Sequence, residues 1–467
     1  MNFADSRFWI LLLSGLAVIA LLRIPAGAWL GSRAAVFDRL ALIALGLCLL
    51  MAVSWVTCVI FLVVAVFSYC AMCYLVRRGR RHSRRLLILF VPLQLLPLLY
   101  FKYADFILNE TLGGSFDTLR GLIIPAGISF YTFQMMSFVI DTLAFGRPLP
   151  RVLDFFNFAG FFPQVVAGPI ERREDLLPQM EQFKFRWSTE NLNAGAAWVA
   201  VGMFFKCCLA DNAAIYVDRT SVSNPFSIWL ANLMFGLRIY YDFAGYSLVA
   251  VGLGRCLGIR LTLNFLSPYC STSIREFWHR WHVTLSGWFR TYVYLPLGGG
   301  RTRWWMFNVA VVFVVSGLWH GAGWGFLLWG TFHGIALIVN RALGGAIRLP
   351  RFVAWVVTLV AVLFGWVFFY ETRTPDLLTK VATLWNPMAY TAAAFRETLT
   401  SMSGGHLFAL TCLLLLVAVV WAVEWLSVAR RDDPYCYLRH PVAAVVLVVL
   451  TVLLAPGNDN AFIYFAF

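Results

Sequence analysis

The sequence predicts an all-α, polytopic integral membrane protein, and three observations lead to this prediction. The 467 residues are 61% hydrophobic and only 13% charged, whereas soluble domains carry about twice that charged share. Apolar runs of roughly 18 residues, the length that a membrane helix needs, recur from end to end. The short alternating segments of a membrane β-barrel are not evident. We therefore expect about 11–12 membrane segments, some of them re-entrant or interfacial.

Candidate spans follow one another along the whole chain. Some of them are too short to cross a bilayer alone. The last part of the series includes a hairpin that breaks at His320. The predicted spans are residues 8–22, 40–57, 58–76, 86–101, 121–145, 192–210, 228–253, 306–319, 321–340, 352–370, 405–428 and 441–455.

The charges of the loops predict an orientation. The basic cluster RRGRRHSRR (77–85) belongs in the cytoplasm, because Lys and Arg collect on that side. Counting outward from it, loops 102–120 and 211–227 and segment 371–404 fall outside, as do both termini. The net charge of +14 is explained by the inner loops, so we expect no nucleic-acid partner. Those inner loops are 23–39, 146–190, 254–305, 341–351 and 429–440.

Two stretches do not form simple spans. Residues 153–170 are apolar but contain Pro163, Gly168 and Pro169, and proline stops helices, so we predict a re-entrant or interfacial segment. In residues 268–297 aromatic side chains alternate with arginines, a composition typical of helices that lie in the headgroup layer.

The domain organisation is predicted to be simple. The chain has no internal repeat or low-complexity linker, so residues 1–467 are expected to form one membrane-embedded domain, with a catalytic core at about 125–340 and C-terminal spans at 352–455. Most of the ten cysteines lie in apolar runs, where Cys behaves as a small hydrophobe. We expect no disulfide framework.

His320 is the strongest candidate for a catalytic residue. It follows thirteen uncharged residues (307–319), and it is surrounded by four glycines in SGLWHGAGWG (316–325). An ionisable group in an apolar span is costly, so it indicates a functional site. The glycines indicate a bend or a close approach of the backbone. An imidazole there could take the proton of an attacking hydroxyl, because its pKa lies near neutrality.

Three further histidines lie nearby. His279 and His282 are three residues apart and would share a face of one helix, with Glu276 three residues before them. A metal site is not expected, because HExxH and cysteine clusters are absent. We instead expect His282 to pair with His320 across a cavity, and His279 to face solvent at the interface. For His333, a structural and a catalytic role both stay open.

The run LPLGGGRTR (295–303) could bind the phosphates of a donor. Glycine loops bring backbone N–H groups onto phosphate, and the side chains of Arg301 and Arg303 bind phosphate bidentately. The alternative is a cytoplasmic turn with ordinary positive-inside arginines. The run is no P-loop, because a preceding strand and a Walker lysine are absent.

These motifs resemble the membrane-bound O-acyltransferase family, and within it the bacterial branch that contains the alginate O-acetyltransferase membrane subunit. The resemblance covers most of the chain. It rests on REFWHRWH (275–282), LPLGG (295–299), WHG around His320, PAGISFYTFQ (125–134), FFPQVVAGPIER (161–172), YYDFAGYS (240–247) and the terminal FIYFAF (462–467).

The resemblance implies a tunnel through the membrane and assigns two catalytic histidines. The family's invariant histidine falls on His320, as general base or as a transient acyl carrier. Its second histidine falls on His282, which would position the donor or share the proton. Trp278 and Trp319, beside the two histidine motifs, are assigned to the donor site with the two arginines of the turn.

The implied activity is O-acetylation of an exported polysaccharide of alginate or cellulose type at a bacterial inner membrane. The donor would be a cytoplasmic thioester, acetyl-CoA, and no permanently bound cofactor or metal is expected. Expected partners are a periplasmic or membrane-anchored acetyltransferase, docking at 371–404 and 462–467, and a polysaccharide synthesis and export complex. The alternatives are D-alanyl or other acyl transfer from a carrier-protein thioester, and a transporter or flippase without covalent chemistry.

Overall fold

We analysed a computed structural model, which describes residues 3–30, 34–217, 223–343, 349–457 and 462–463. Within these ranges the chain is helical and contains no strand. The all-α prediction is therefore confirmed.

The helices of the first half of the chain begin at the N-terminal side and alternate with short turns. They are α1 (Ser6–Leu30), α2 (Ala34–Val53), α3 (Trp55–Arg77), α4 (Arg80–Leu98), α5 (Ile128–Leu143), α6 (Val152–Ala159), α7 (Arg173–Glu181), α8 (Thr189–Met203), α9 (Asp211–Val217) and α10 (Pro225–Cys256). Wider π-helical turns lie at Leu99–Tyr103, Phe106–Thr111 and Phe204–Ala210.

The second half has two short helices followed by longer ones. They are α11 (Ile274–Arg280), α12 (Val283–Phe289), α13 (Trp305–His320), α14 (Trp324–Leu343), α15 (Arg351–Tyr370), α16 (Thr374–Trp385), α17 (Ala392–Thr400), α18 (Gly404–Arg431) and α19 (Pro441–Leu454). A π-helical turn, Arg290–Tyr294, extends α12, and single 3₁₀ turns lie at Asp117–Leu119, Pro268–Cys270 and Pro387–Ala389.

Eight stretches of helix in the described part of the chain are long and apolar enough to cross a membrane. The prediction of a multi-pass membrane protein is thus supported by the helices themselves. Two shorter apolar helices, α13 and α19, correspond to predicted spans 306–319 and 441–455. The eight are Ser6–Ile24, Ala34–Val53, Trp55–Arg77, Arg85–Tyr103, Thr189–Val217, Trp324–Leu343, Arg351–Tyr370 and Gly404–Arg431.

Two predicted boundaries were wrong. The break expected between residues 57 and 58 lies at Ser54, whose side-chain oxygen accepts the N–H of Thr57 and caps α3. The span expected at 121–145 is shorter, because α5 begins only after Gly127, which has a φ of +76°. A Cβ at Gly127 would lie 2.7 Å from the carbonyl oxygen of Val165. Glycine is therefore needed where two of the quoted motifs touch.

The chain divides into two compact units. The first consists of Met1–Val199 and Tyr246–Thr262, and the second of Ala200–Gly245 and Leu263–Phe467. The single-domain assignment stays a prediction.

The first unit contains buried ion pairs that tie its helices together. The guanidinium of Arg39 on α2 lies 2.6 Å from the carboxylate of Asp154 on α6. The neighbouring Asp38 accepts from Arg23 at 2.8 Å and from the backbone N–H of Phe185 at 3.2 Å. Breaking one partner of such a buried pair leaves an uncompensated charge, so these pairs fix how the elements of this unit pack.

The proline-interrupted stretch 153–170 also lies in the first unit. Its helix α6 ends at Ala159, before Pro163, and the following residues form turns that are almost entirely buried. The predicted interruption of the helix is therefore present. Its position relative to a bilayer stays a prediction.

In the second unit a helical hairpin dominates the candidate site. The helices α13 and α14 are joined by residues 321–323, so the predicted break at His320 is confirmed. The two helices approach closely, because a Cβ at Gly317 would overlap the carbonyl oxygen of Phe326, and one at Gly330 would overlap that of Phe313. Small residues permit such close helix contact in membrane proteins.

The aromatic–arginine stretch 268–297 forms short helices with buried faces. Within it, Trp281 and Phe277 are each 1% exposed, and Phe289 is 3% exposed. These helices therefore bury their aromatic residues inside the second unit, whereas the sequence predicted helices lying in the headgroup layer.

Candidate active site

His320 is the last residue of α13 and is 2% exposed. The helix ends there, and the next residue, Gly321, has an extended backbone. A Cβ at Gly321 would overlap the ring of Phe326, so the glycine lets an aromatic ring lie directly beside the histidine. The imidazole of His320 also contacts Trp329 and Phe369, with ring centroids 5.0 and 5.2 Å away.

His282 is held in an unusual backbone conformation. Helix α11 ends at Arg280, Trp281 is extended, and His282 has a φ of +44° before α12 begins. Non-glycine residues rarely adopt this left-handed region, and where they do a functional site is often nearby. The expectation that His279 and His282 share a helix face was therefore wrong. His279 is exposed, as predicted, and His282 is 1% exposed.

Asn264 fixes the tautomer of His282. Its side-chain oxygen lies 3.1 Å from Nδ1 of His282 and accepts from the backbone N–H and the hydroxyl of Thr284 at 3.3 and 2.9 Å. A backbone N–H can only donate, so the amide atom facing it must be the oxygen, which only accepts. Nδ1 of His282 must then carry the proton. In the neutral imidazole, Nε2 is the basic nitrogen.

The two imidazoles face each other in one aromatic pocket. The ring centroids of His282 and His320 are 6.5 Å apart, and the indole of Trp319 lies 5.7 Å from His282. Burial lowers the pKa of His282 to about 3, because a low dielectric disfavours the charged form. His282 is therefore neutral at physiological pH. The sequence-predicted pair and the predicted Trp319 are thus brought together.

Trp278 belongs to a neighbouring aromatic layer around His333. His333 is fully buried, and its ring lies 5.1 Å from Trp278 and 5.0 Å from Trp329. Trp329 also stacks 5.0 Å from His320, so one indole stands between the two histidines. Gly365 makes room for His333, because a Cβ there would lie 2.6 Å from Nε2. His333 and Trp278 are therefore one ring away from the histidine pair.

No metal site accompanies the histidines. The carboxylate of Glu276 accepts from the N–H and hydroxyl of Thr272 at 2.8 and 2.9 Å and from Arg280 at 2.9 Å. These bonds close the first turn of α11 and leave Glu276 tied to its own helix. Among the residues described, no group of three or more His, Cys, Asp or Glu side chains could hold a metal ion.

The glycine–arginine turn is built from its own carbonyl groups. The side-chain amide of Asn308 donates to the carbonyls of Leu297 and Gly299 at 3.1 and 2.9 Å. The N–H groups of Gly298 and Gly299 are used within the turn, on the carbonyls of Leu295 and Tyr294. These two N–H groups are therefore not directed at a ligand, and any phosphate contact falls to side chains.

Arg301 and Arg303 are exposed at the far end of α13 from His320. This helix has 16 residues, so at about 1.5 Å per residue its two ends are roughly 24 Å apart. The arginines cannot touch a group that reacts at His320. Their predicted role is restricted to the distant end of a long donor.

Sequence reasoning missed several residues around the pair. The ring of Phe243 lies 4.7 Å from His282, and Asn264 is eighteen positions away from its histidine partner. Next to Phe243, Asp242 lies 3.0 Å from Lys206, which also pairs with Asp211 at 2.7 Å. The quoted motif YYDFAGYS contained two of these residues, but nothing in its spacing indicated a contact with His282.

Part of the predicted docking surface was also misassigned. Phe462 and Ile463 are 1% and 2% exposed, because they pack inside the second unit. These two residues cannot receive a partner, as the sequence predicted. Residues 464–467 of the same prediction lie outside the described residues.

Comparison with known proteins identifies the family. The family model for membrane-bound O-acyltransferases matches residues 40–373, which include both candidate histidines. The chain belongs to the membrane-bound O-acyltransferase family. The resemblance predicted from the motifs is thereby confirmed.

Curated relatives add narrower similarities. The chain is 36% identical over 311 residues to a peptidoglycan O-acetyltransferase of Helicobacter pylori, covering 58% of this chain and 59% of that protein. It is 39% identical over 304 residues to a probable alginate O-acetylase of Pseudomonas aeruginosa, covering 62% and 58%. A teichoic acid D-alanyltransferase of Streptococcus thermophilus is 29% identical over 283 residues, covering 57% and 66%. The chain thus spans about three fifths of the length of its first relatives.

Proposed function

We propose that this membrane-bound O-acyltransferase family member is an O-acetyltransferase subunit. It moves acetyl from a cytoplasmic thioester, acetyl-CoA, across the bacterial inner membrane toward an exported polysaccharide. The observation that carries the proposal is the pair of buried imidazoles of His282 and His320, 6.5 Å apart in one aromatic pocket. Family membership and the two O-acetylating relatives support the acyltransferase chemistry.

The reaction requires one proton transfer and one exchange of bonds. The acceptor hydroxyl gives its proton to His320, and its oxygen attacks the carbonyl carbon of the thioester. The C–S bond breaks, the acyl group forms an ester, and the leaving thiolate takes up a proton. A positioned general base contributes typically about 10²–10⁴-fold to such a step.

The fixed tautomer of His282 decides between its two predicted roles. A neutral imidazole with its proton on Nδ1, held by Asn264 at 3.1 Å, offers an acceptor at Nε2 and not a donor. It is therefore unsuited to donate a hydrogen bond to the developing oxyanion. Sharing the proton with His320 is the role that this geometry favours.

The aromatic pocket favours a small acyl group and a dry reaction. Trp319, Trp329 and Phe369 surround His320, and His320 and His282 are each at most 2% exposed. Excluding water strengthens electrostatic interactions and protects the thioester from hydrolysis. A hydrated polymer could hardly enter such a site.

We therefore propose a relay in which the chain hands acetyl to a separate periplasmic or membrane-anchored acetyltransferase. The candidate docking surface is segment 371–404, where the helices α16 and α17 lie. Its apolar side chains are conspicuously exposed: Leu378 at 60%, Trp385 at 73%, Met388 at 83% and Phe395 at 49%. These helices would offer an aromatic anchor to a partner of the synthesis and export complex.

A second candidate function is transfer of D-alanine from a carrier-protein thioester. The similarity to the teichoic acid D-alanyltransferase favours it. The same histidine pair could perform this reaction, since the bond exchange is identical and only the acyl group and carrier differ. Family membership argues against a transporter or flippase without covalent chemistry.

The test is reconstitution of the purified chain in liposomes with the donor inside and the polymer outside. Acetyl-CoA and D-alanyl carrier protein are compared as donors, with and without the periplasmic partner. We expect thiol release from acetyl-CoA and acetylation of the polymer only when the partner is present. Acetylated polymer without a second protein would contradict the relay, and turnover of the carrier protein alone would favour D-alanyl transfer.

A further inference from the structure

The terminal motif is drawn into the wall of the histidine pocket. The ring of Phe462 lies 5.9 Å from that of Phe243, and Phe243 meets the imidazole of His282 edge to face at 4.7 Å. Phe462 and Phe243 are 1% and 0% exposed. The terminal motif therefore covers the side of Phe243 that faces away from His282.

A charged cluster holds the terminal residues in this position. The backbone N–H of Ile463 donates to Oδ2 of Asp242 at 2.7 Å, a charge-assisted bond of the stronger kind. The other oxygen of Asp242 lies 3.0 Å from the ammonium of Lys206. Lys206 also pairs with Asp211 at 2.7 Å, and all three side chains are buried. The lysine thus keeps Asp242 charged and ready to accept.

The backbone of the unit is shaped to bring this cluster together. Lys206 lies in the π-helical turn Phe204–Ala210, a wider turn that is frequent at functional sites. At Gly245 on α10 a Cβ would lie 2.7 Å from the carbonyl oxygen of Gly202 and 2.9 Å from the N–H nitrogen of Lys206. Glycine therefore lets the turn lie directly on α10, beside Asp242.

We propose that Phe462 and Ile463 form a C-terminal clasp that keeps the His282 pocket closed, with Asp242 as its anchor. The clasp residues and Asp242 are positioning residues, which act on the reaction through Phe243 and His282. This deepens the proposed function, on which its catalytic consequence rests. The burial of His282, by contrast, is a property that can be measured without any reaction.

The groups that face His282 allow a selective readout. They are Asn264 and Thr284 through hydrogen bonds, the rings of Phe243, Phe265 and Trp319, and the titratable imidazole of His320. Opening the clasp should admit solvent from the Phe243 side. His282 should then become reactive, while His333, in the neighbouring aromatic layer, should stay protected.

The experiment is modification of the membrane-embedded chain with diethyl pyrocarbonate, which acylates accessible neutral imidazoles, followed by mass spectrometry. Trypsin cleaves after Arg280, so exposed His279 and buried His282 fall on separate peptides. The wild-type chain is compared with Phe462→Ala and Asp242→Asn. The matched control is Phe408→Ala, the same change at a ring that is 72% exposed.

We expect modification of His282 to rise severalfold in Phe462→Ala and less in Asp242→Asn, whose amide can still accept. His279 should be modified equally in every chain, and His333 in none. Unchanged protection of His282 in a Phe462→Ala chain with His333 protected would overturn the clasp. If His333 also reacts, the fold has opened, and Phe462→Val, which keeps a smaller apolar side chain, decides by the same criterion.

The same chains are then assayed for release of thiol from acetyl-CoA. A lower rate in Phe462→Ala than in Phe408→Ala is expected. If the wild-type chain releases no thiol while His282 still responds to the clasp, the proposed function fails and the clasp stands.

Discussion

Nδ1 of His282 lies 3.1 Å from the side-chain oxygen of Asn264. The bond fixes the basic nitrogen of the imidazole and keeps a neutral partner beside it. Burial lowers the pKa of His282 to about 3, so a change of charge at residue 264 should be visible in the pH dependence of acyl transfer.

Asn264→Asp should introduce an acid limb into the rate profile. An adjacent carboxylate favours imidazolium and shifts a pKa by about 1–3 units, here upward. Wild-type His282 stays neutral from pH 8 down to pH 5, whereas in the variant its protonated fraction grows as the pH falls. Thiol release at pH 5 relative to pH 8 should therefore fall in the variant. Asn193→Asp, at an exposed position, is the control, and a profile identical to wild type in Asn264→Asp would contradict the assignment.

The close packing of α13 on α14 gives a second prediction. Gly317→Ala should destabilise the fold by about 1–3 kcal/mol, the usual cost of overpacking, because its Cβ would overlap the backbone of Phe326. Gly323→Ala is the matched control, since its nearest contact would be an ordinary 3.6 Å. Thermal unfolding in detergent measures both. Equal stability of the two variants would show that the hairpin can separate at no cost.

Which parts of the site could be predicted depended on the range of the interactions. His320 was found because an ionisable group among uncharged residues and glycines is a local pattern. The partner of His282 was not found, because Asn264 is distant in sequence and asparagine is common in loops. The shared face of His279 and His282 failed because the helix ends at Arg280, and periodicity cannot reveal a left-handed residue.

Fold prediction followed the same rule. Hydropathy placed the helices, since burial in lipid demands long apolar runs. The boundary at Ser54 was missed, although serine is a common cap, because the apolar run continues across it. The burial of Phe462 and Ile463 depends on Asp242, more than two hundred residues earlier, and no local signal reports such a contact.

The glycine–arginine turn yields a prediction about the donor. Removing charge in Arg301→Ala/Arg303→Ala should raise the KM for acetyl-CoA more than it lowers kcat, because both side chains are exposed and far from His320. The control is Arg373→Ala/Arg396→Ala, two arginines of segment 371–404. Misinsertion of the double variant, with unchanged donor affinity in the inserted fraction, would instead favour a purely topological role.

The orientation of the chain is tested by labelling single cysteines from outside in a cysteine-free background. A cysteine at Met388, which is 83% exposed, should react with an impermeant reagent, and one at Thr302 should react only after permeabilisation. Ser83, whose side chain lies outside the described residues, should also be protected. Asn458, likewise outside them, should react. Labelling of Ser83 in intact cells would reverse the orientation of every loop.

The most direct test of the central claim is thiol release from acetyl-CoA by the His320→Ala chain reconstituted in liposomes. A general base typically contributes about 10²–10⁴-fold, so the rate should fall by that factor while the chain remains inserted and stable. His282→Ala should lower the rate by a similar or smaller factor, and His279→Ala, at an exposed position, should have little effect. A wild-type rate from well-inserted His320→Ala protein would contradict acyl transfer at the histidine pair.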